Sequence, residues 1–440
     1  VTAASILGTP RPVTLDGVRL EVSEDRLTLV AERELAGLAT GRFSRPGGGA
    51  EWSSESWPTN LEFTGFAFTQ FALPVTAGHD LDFDFAPAPG LRSPRAMSPV
   101  LARSDGRVVL LAPVERPHEQ IVAVADGGLR WGWHGDLDVV PAGCSVSLGV
   151  YSGSSVTEVL AMWGADIEVV PRRRDHPVMT HLSYWTDNGA AYWYRTEPGV
   201  TIAESVVAAV DGLRADGVPI RSVELDSWFY EHATPRPIAA IGYPEEVPPT
   251  GAMRWSPRPD AFPPTDGDPM VELRDRLAAP LVLHARHLAP TSPYLDGPDG
   301  WWIDADAAHP HDPAFFRRWF DDAVRWGATC IEQDWMLMSW FGVRGLREAP
   351  DRAAAWQHAL NDHARATDVD LIWCMATPAD LVLAASLDRI VAVRTCDDYR
   401  FTSDPALLWT WFLTVNRLTN TLGLPAFKDC FFSRVATDAG

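Results

Sequence analysis

TCIEQDW (residues 329–335) and LIWCMATPADLVLAASLDRIVAVRTCDDY (371–399) decide the fold. LIWCM (371–375) and IVAVR (390–394) are short apolar runs of strand length. Between them, Thr377-Pro378 opens a helical segment with a side-chain oxygen at the N-cap and proline at the first helical position. The same pairing recurs at Asp268-Pro269, Asp312-Pro313 and Asp404-Pro405. Working outward, HLSYW (181–185), SVELD (222–226), PLVLH (280–284) and LPAFK (424–428) read as further strands. Ile202, Val206, Val210 and Leu213 form one helical stripe, and Leu407, Trp411, Val415 and Leu418 another. Such alternation implies parallel strands joined by right-handed crossovers. Seven units with acidic strand ends fit a (β/α)8-type (TIM) barrel over residues 179–440 better than a doubly wound sheet. The Pro- and Gly-rich stretch 227–268 reads as a long loop over the active face. Residues 429–440 are too short for an eighth strand with its helices, so the barrel is expected to be truncated after strand 7.

Residues 1–166 follow a different rule. LEVSEDRLTLV, LDFDF, RVVLLAPV, QIVAVADGGLRWGW and SVSLGVYSG are short apolar or alternating runs between Gly, Pro, Asp and Ser, which predicts an N-terminal antiparallel β-sandwich. VTEVLAMWG (156–164) reads as a short helix, and the polar 167–178 as a linker. The chain has 440 residues, 46% hydrophobic, with 19 Trp, enough for a large core. A net charge of −21 argues against nucleic acid or an anionic membrane as partner. No spanning segment and no secretion signal are visible, so a cytoplasmic location is the expectation. Five cysteines without CxxC spacing give neither a disulfide framework nor a zinc site, and buried thiols are expected.

In a barrel of this kind reactive groups collect at the C-terminal strand ends. Those ends carry Asp187; Asp226; His284, Arg286 and His287; Glu332 and Asp334; Asp380; Arg394, Asp397 and Asp398; and Lys428 with Asp429. Carboxylates dominate, many beside Trp or Tyr. A polar cleft with aromatic platforms suits a carbohydrate, and Trp185, Trp228, Trp335 and Trp373 are candidate platforms set against the alternative of core packing. His284 and His287, three apart on a strand end, point to opposite faces, so no metal site is expected. No Gly-rich phosphate loop follows a strand, and no cofactor is expected. Lys428 is the one lysine among 37 basic residues, and its place at a strand end makes it a candidate sugar contact.

HLSYWTDNGA, VELDSWF, TCIEQDW, LIWCMATPAD and VRTCDDYRFTSDP occur in an order that resembles clan-D glycoside hydrolases, and looks closest to the α-galactosidase and raffinose-synthase family 36. The resemblance covers about residues 178–435. It implies a retaining α-glycoside hydrolase with Asp334 as nucleophile, from the family's Lys-x-Asp motif. It also implies Asp398 as acid/base, four residues after Arg394, with Asp397 as the rival. Asp187, Trp185, Asp226, Trp228, His284, Arg286, Glu332, Trp335, Arg394, Asp397 and Lys428 become substrate-binding candidates. The family's motif lysine is Glu332 here, which puts galactose specificity in doubt. A transglycosylase of the raffinose-synthase type and an inactive carbohydrate-binding protein are the alternatives.

Overall fold

The computed structural model describes residues 17–36, 56–58, 99–104, 106–125, 128–134, 136–187, 190–233, 251–395 and 405–427. The strand candidate LDFDF, the cap Asp404 and the site candidates Asp397, Asp398 and Lys428 lie outside these. Seven strands form one parallel sheet: β1 (Leu182–Tyr184), β2 (Ile220–Leu225), β3 (Leu281–Ala285), β4 (Ala328–Gln333), β5 (Asp370–Trp373), β6 (Ile390–Arg394) and β7 (Ala426–Phe427). Each strand pairs with the one before it. A doubly wound sheet would reverse its order at a switch point, whereas this one never does. It is therefore wound in one direction, and it curls. The Trp185 ring, just past β1, lies 5.3 Å from that of Phe427 on β7. The Arg394 guanidinium at the end of β6 donates to Asp187 at 3.1 Å. The described sheet is thus a partial barrel whose two edges approach each other.

Besides the short helix Met336–Gly342 after β4, the helices between strands are α1 (Ile202–Ala215), α2 (Pro269–Leu277), α3 (Arg317–Trp326), α4 (Arg352–Thr367), α5 (Pro378–Ala384) and α6 (Pro405–Thr421). The expected caps hold: Asp268 accepts from Met270 N–H, and Thr377 forms a reciprocal capping box with Asp380. Asp312 caps a single 3-10 turn, Pro313–Phe316, which then runs into α3. Ile202, Val206 and Val210 are buried, as their stripe requires, and Leu213 packs partly buried beside them. The stretch after β2 is more regular than a loop. Tyr230–His232 and Ala252–Pro257 pair as a short, irregular antiparallel ribbon, with Tyr230, His232, Ala252 and Trp255 buried.

The N-terminal region is antiparallel. Val18–Val22, Arg26–Ala31, Ser145–Gly153, Arg107–Glu115 and Val100–Ser104 form a five-stranded sheet, in that order. Ser56–Pro58, Gly128–Trp133 and Gln120–Ala125 form a three-stranded one. Leu27, Leu29, Val109, Leu111, Val146 and Leu148 from the first sheet share a core with Trp131 and Trp133 from the second. The first sheet's other face, with Leu110 and Ala112, joins the helix Val156–Asp166 and the barrel core. Polar contacts cross the same junction: His118 Nε2 lies 2.8 Å from Asp380, and Arg347 Nε donates to Asp136 at 2.7 Å.

Candidate active site

Period-two alternation explains why charge gathers at one end of the sheet. Mid-strand Val282, Cys330, Ile372 and Ala392 cluster with Trp185 and Phe427. Two residues further along the same face come His284, Glu332, Cys374 and Arg394, and two beyond those come Arg286 and Asp334. The register sets His284 opposite Glu332, and Glu332 opposite Ile372. One alternation therefore gives an apolar mid-barrel layer and a polar rim.

Asp334 is the focus of that rim. The residue is 7% exposed. Oδ2 lies 3.0 Å from His284 Nε2, and Oδ1 accepts the Trp335 N–H at 2.7 Å. Burial opposes its ionisation, but the His284 hydrogen bond, the Arg394 charge and a Cys374 contact outweigh it and hold Asp334 well below the usual carboxylate range. The group is a buried, ionised carboxylate. Trp335 adopts a left-handed backbone at φ 55°. Its ring carries the Arg286 guanidinium at 4.3 Å.

Asp226 faces the same imidazole, its Oδ2 3.9 Å from His284 Nε2. Its other oxygen accepts from Trp193 Nε1 at 2.9 Å and from the Ser227 N–H and hydroxyl. Behind it, Thr186 ties β1 to β2: its N–H donates to Glu224 at 2.8 Å, and its hydroxyl accepts from Trp228 Nε1 at 2.7 Å. Arg286 Nη1 lies 3.1 Å from His232 Nδ1. Burial, seconded by the Arg286 charge, lowers His287 to about 3, so both of its ring nitrogens stay uncharged at neutral pH.

The structure therefore brings Asp226, His284, Arg286, Glu332, Asp334 and Trp335 to one rim, with Arg394 and Asp187 paired beside them. Trp228 and Trp373 are wholly buried, so each is a core side chain here and offers no face to a ligand. Asp380 completes the capping box of α5 and meets His118 of the N-terminal region. Sequence reading missed Trp193, Tyr230 and Thr186. Their partners Asp226 and His284 were singled out, but nothing in spacing alone reveals which buried donor a carboxylate meets. Cys144, Cys330 and Cys374 are buried thiols outside any disulfide. Among the described residues no His/Cys/Asp/Glu cluster is arranged to hold a metal ion, and no helix is long and apolar enough to cross a membrane.

No family model and no curated protein matches the chain. Among solved structures, its fold is similar to TtGalA, an alpha-galactosidase from Thermus thermophilus in complex with stachyose. The TM-score is 0.52 at 14% identity, over 96% of this chain and 87% of that one. A xylosidase from Aspergillus niger follows at 0.44 and 11%, over 96% of this chain and 62% of that one. Alpha-N-acetylgalactosaminidase NagBb from Bifidobacterium bifidum gives 0.39 and 13%, over 85% and 61% respectively. At such identities the likeness is one of fold.

Proposed function

We propose that this protein is a glycosidase, specifically a retaining α-glycoside hydrolase that forms a covalent glycosyl–Asp334 intermediate. One observation carries the reading: Asp334, at the C-terminal end of a barrel strand, is a buried carboxylate held low by His284 and Arg394, with both oxygens hydrogen-bonded. A nucleophile for an anomeric carbon needs that state at neutral pH. Its fold-level likeness to an alpha-galactosidase supports the class and leaves the sugar open.

In the proposed reaction an Asp334 oxygen attacks the anomeric carbon while the glycosidic bond breaks. The departing oxygen takes a proton from Asp398, the carboxyl just beyond β6. Water then attacks the glycosyl ester, Asp398 accepts its proton, and Asp334 leaves as a carboxylate. Asp226 contacts a sugar hydroxyl, Trp335 and Trp185 supply ring faces, and Glu332 accepts hydrogen bonds where the resembling family donates them from lysine. An N-terminal β-sandwich followed by a (β/α)8-type barrel is the architecture that accompanies this reading.

The test is aglycone release from a panel of aryl α-glycosides. Asp334→Gly should abolish turnover, and azide should restore part of it as a glycosyl azide of inverted configuration. Unrescued loss together with a collapsed melting temperature would mark Asp334 as structural. Tight sugar binding without turnover by the wild type would favour the binding-protein alternative, and sugar-to-sugar transfer products would favour the transglycosylase.

A further inference from the structure

We infer that Tyr230 and His284 form a positioning chain behind Asp334, in which the Tyr230 hydroxyl fixes the His284 ring so that its Nε2–H points at the nucleophile. This inference rests on the glycosidase reading for its catalytic meaning. Its geometry stands alone. The Tyr230 hydroxyl lies 2.7 Å from His284 Nδ1, and His284 Nε2 lies 3.0 Å from Asp334 Oδ2. The two rings stack, with centroids 6.0 Å apart and planes inclined by 21°. His284 is 2% exposed and Tyr230 is wholly buried. Both imidazole nitrogens thus spend their bonds on protein groups, and neither is free to bind a sugar.

The proton inventory assigns the tautomer. A carboxylate can only accept, so Nε2 must carry the hydrogen facing Asp334. Burial raises Tyr230 well above its ordinary range, so it remains a phenol with one proton to give. The arrangement that satisfies both neighbours has Nδ1 accepting from the Tyr230 hydroxyl and Nε2–H donating to Asp334.

The donor's value differs between the two chemical steps. Before attack it stabilises the free carboxylate. After attack Asp334 is an uncharged ester, and the N–H faces an ester oxygen on one side and the Asp226 carboxylate at 3.9 Å on the other. When water attacks the sugar, the breaking C–O bond returns a negative charge to Asp334, into a donor already aimed at it. The chain therefore favours release of Asp334 more than attack by it. Arg394, Cys374, Arg286, His287 and Asp226 also face or neighbour this carboxylate, and removal of His284 leaves their influence on it in place.

The experiment compares wild type, Tyr230→Phe, His284→Gln and His284→Ala with an activated aryl glycoside, alongside ¹⁵N spectra of histidine-labelled protein. His284→Ala should lower kcat at least tenfold with KM falling in parallel, because the glycosyl enzyme accumulates. The acid limb of kcat/KM should move to higher pH, since Asp334 loses its main donor. His284→Gln, which keeps an amide N–H near the Nε2 position, should recover part of the loss. Tyr230→Phe should act in the same direction and more weakly. The spectra should show His284 protonated at Nε2 and bare at Nδ1, becoming a tautomer mixture in Tyr230→Phe. A proton on Nδ1, or an acid limb that stays put in His284→Ala, would overturn the inference. Absence of wild-type turnover with the expected tautomer would sink the glycosidase reading alone and leave the hydrogen-bond chain standing.

Discussion

Replacement of Arg347 by methionine should cost more than any surface change, and the structure says why. Arg347 Nε donates to Asp136 Oδ2 at 2.7 Å across the junction with the N-terminal region, and the two side chains are 5% and 1% exposed. Its Nη1 also caps the carbonyls of Trp340 and Phe341, the latter at 2.9 Å. Those carbonyls end the helix Met336–Gly342, which begins one residue after Asp334-Trp335. One guanidinium thus joins the N-terminal region to the segment carrying the candidate nucleophile. Arg347→Met keeps the aliphatic stem but strands a buried carboxylate, a loss of about 3–5 kcal/mol. At ~1 °C per kcal/mol for a chain of 440 residues, the melting temperature should fall by roughly 3–5 °C. Asp136→Asn retains an acceptor and should cost only about 1–2 kcal/mol. In the double variant the stranded charge is gone, so the two costs should fall short of additivity by ~1.5–3 kcal/mol. Urea unfolding of the four proteins, read by tryptophan fluorescence, measures the coupling. Additivity to within about 0.5 kcal/mol, or a melting shift of Arg347→Met under ~2 °C, would refute the reasoning.

Two further outcomes are expected. Trp193→Phe removes the 2.9 Å donor to Asp226 while the Ser227 donors remain; it should raise KM about tenfold, or ~1.4 kcal/mol, with a smaller change in kcat, and a kcat effect alone would place Asp226 elsewhere in the cycle. Stability should fall on mild acidification. Burial lowers His134 and His287 to about 3 and His309 to about 4, whereas unfolded histidine titrates near 6.5, so from about pH 6.5 downward the unfolded chain takes up protons that the folded one refuses. Asp370, pushed up to about 6 by burial, works the other way between about pH 6 and 4. Three sites against one leave roughly 2–3 kcal/mol lost per pH unit near pH 5; urea midpoints equal at pH 7.5 and 5 would contradict this.

The barrel was legible because its signals are local. IVAVR coincides with β6, the candidates for β2 to β5 fall within two residues of the observed strands, and three cap-proline pairs start helices or turns. A capped helix start and an apolar run of strand length are written in consecutive residues. The ribbon of Tyr230–His232 with Ala252–Pro257 was not legible, because its partners lie on either side of a Pro- and Gly-rich stretch that reads as loop. In the site, the inward carboxylates could be found from strand parity. Their partners could not: His284 meets Asp334 at a separation of 50 residues, and Trp193 meets Asp226 at 33. Trp228 misled for the same reason, since a ring beside an acidic strand end gives no sign of which way it packs.

The places where local rules fail are themselves informative. Trp335 and Met375 are large non-glycine residues at φ 55° and 48°, directly beyond the ends of β4 and β5. Left-handed backbone costs such residues about 1–2 kcal/mol each, so something must hold them there. At Met375 the carbonyl accepts the Leu337 N–H at 3.0 Å, which ties the turn after β5 to the helix after β4. At Trp335 the turned backbone sends its N–H back onto the preceding side chain, Asp334 Oδ1, at 2.7 Å. An extended residue would instead carry the chain onward as strand and leave that oxygen to be satisfied elsewhere. The same turn brings the Trp335 ring under Arg286. Strain at this point thus converts a strand end into a fixed carboxylate with one oxygen held by backbone and the other by His284, the arrangement that a preorganised nucleophile requires.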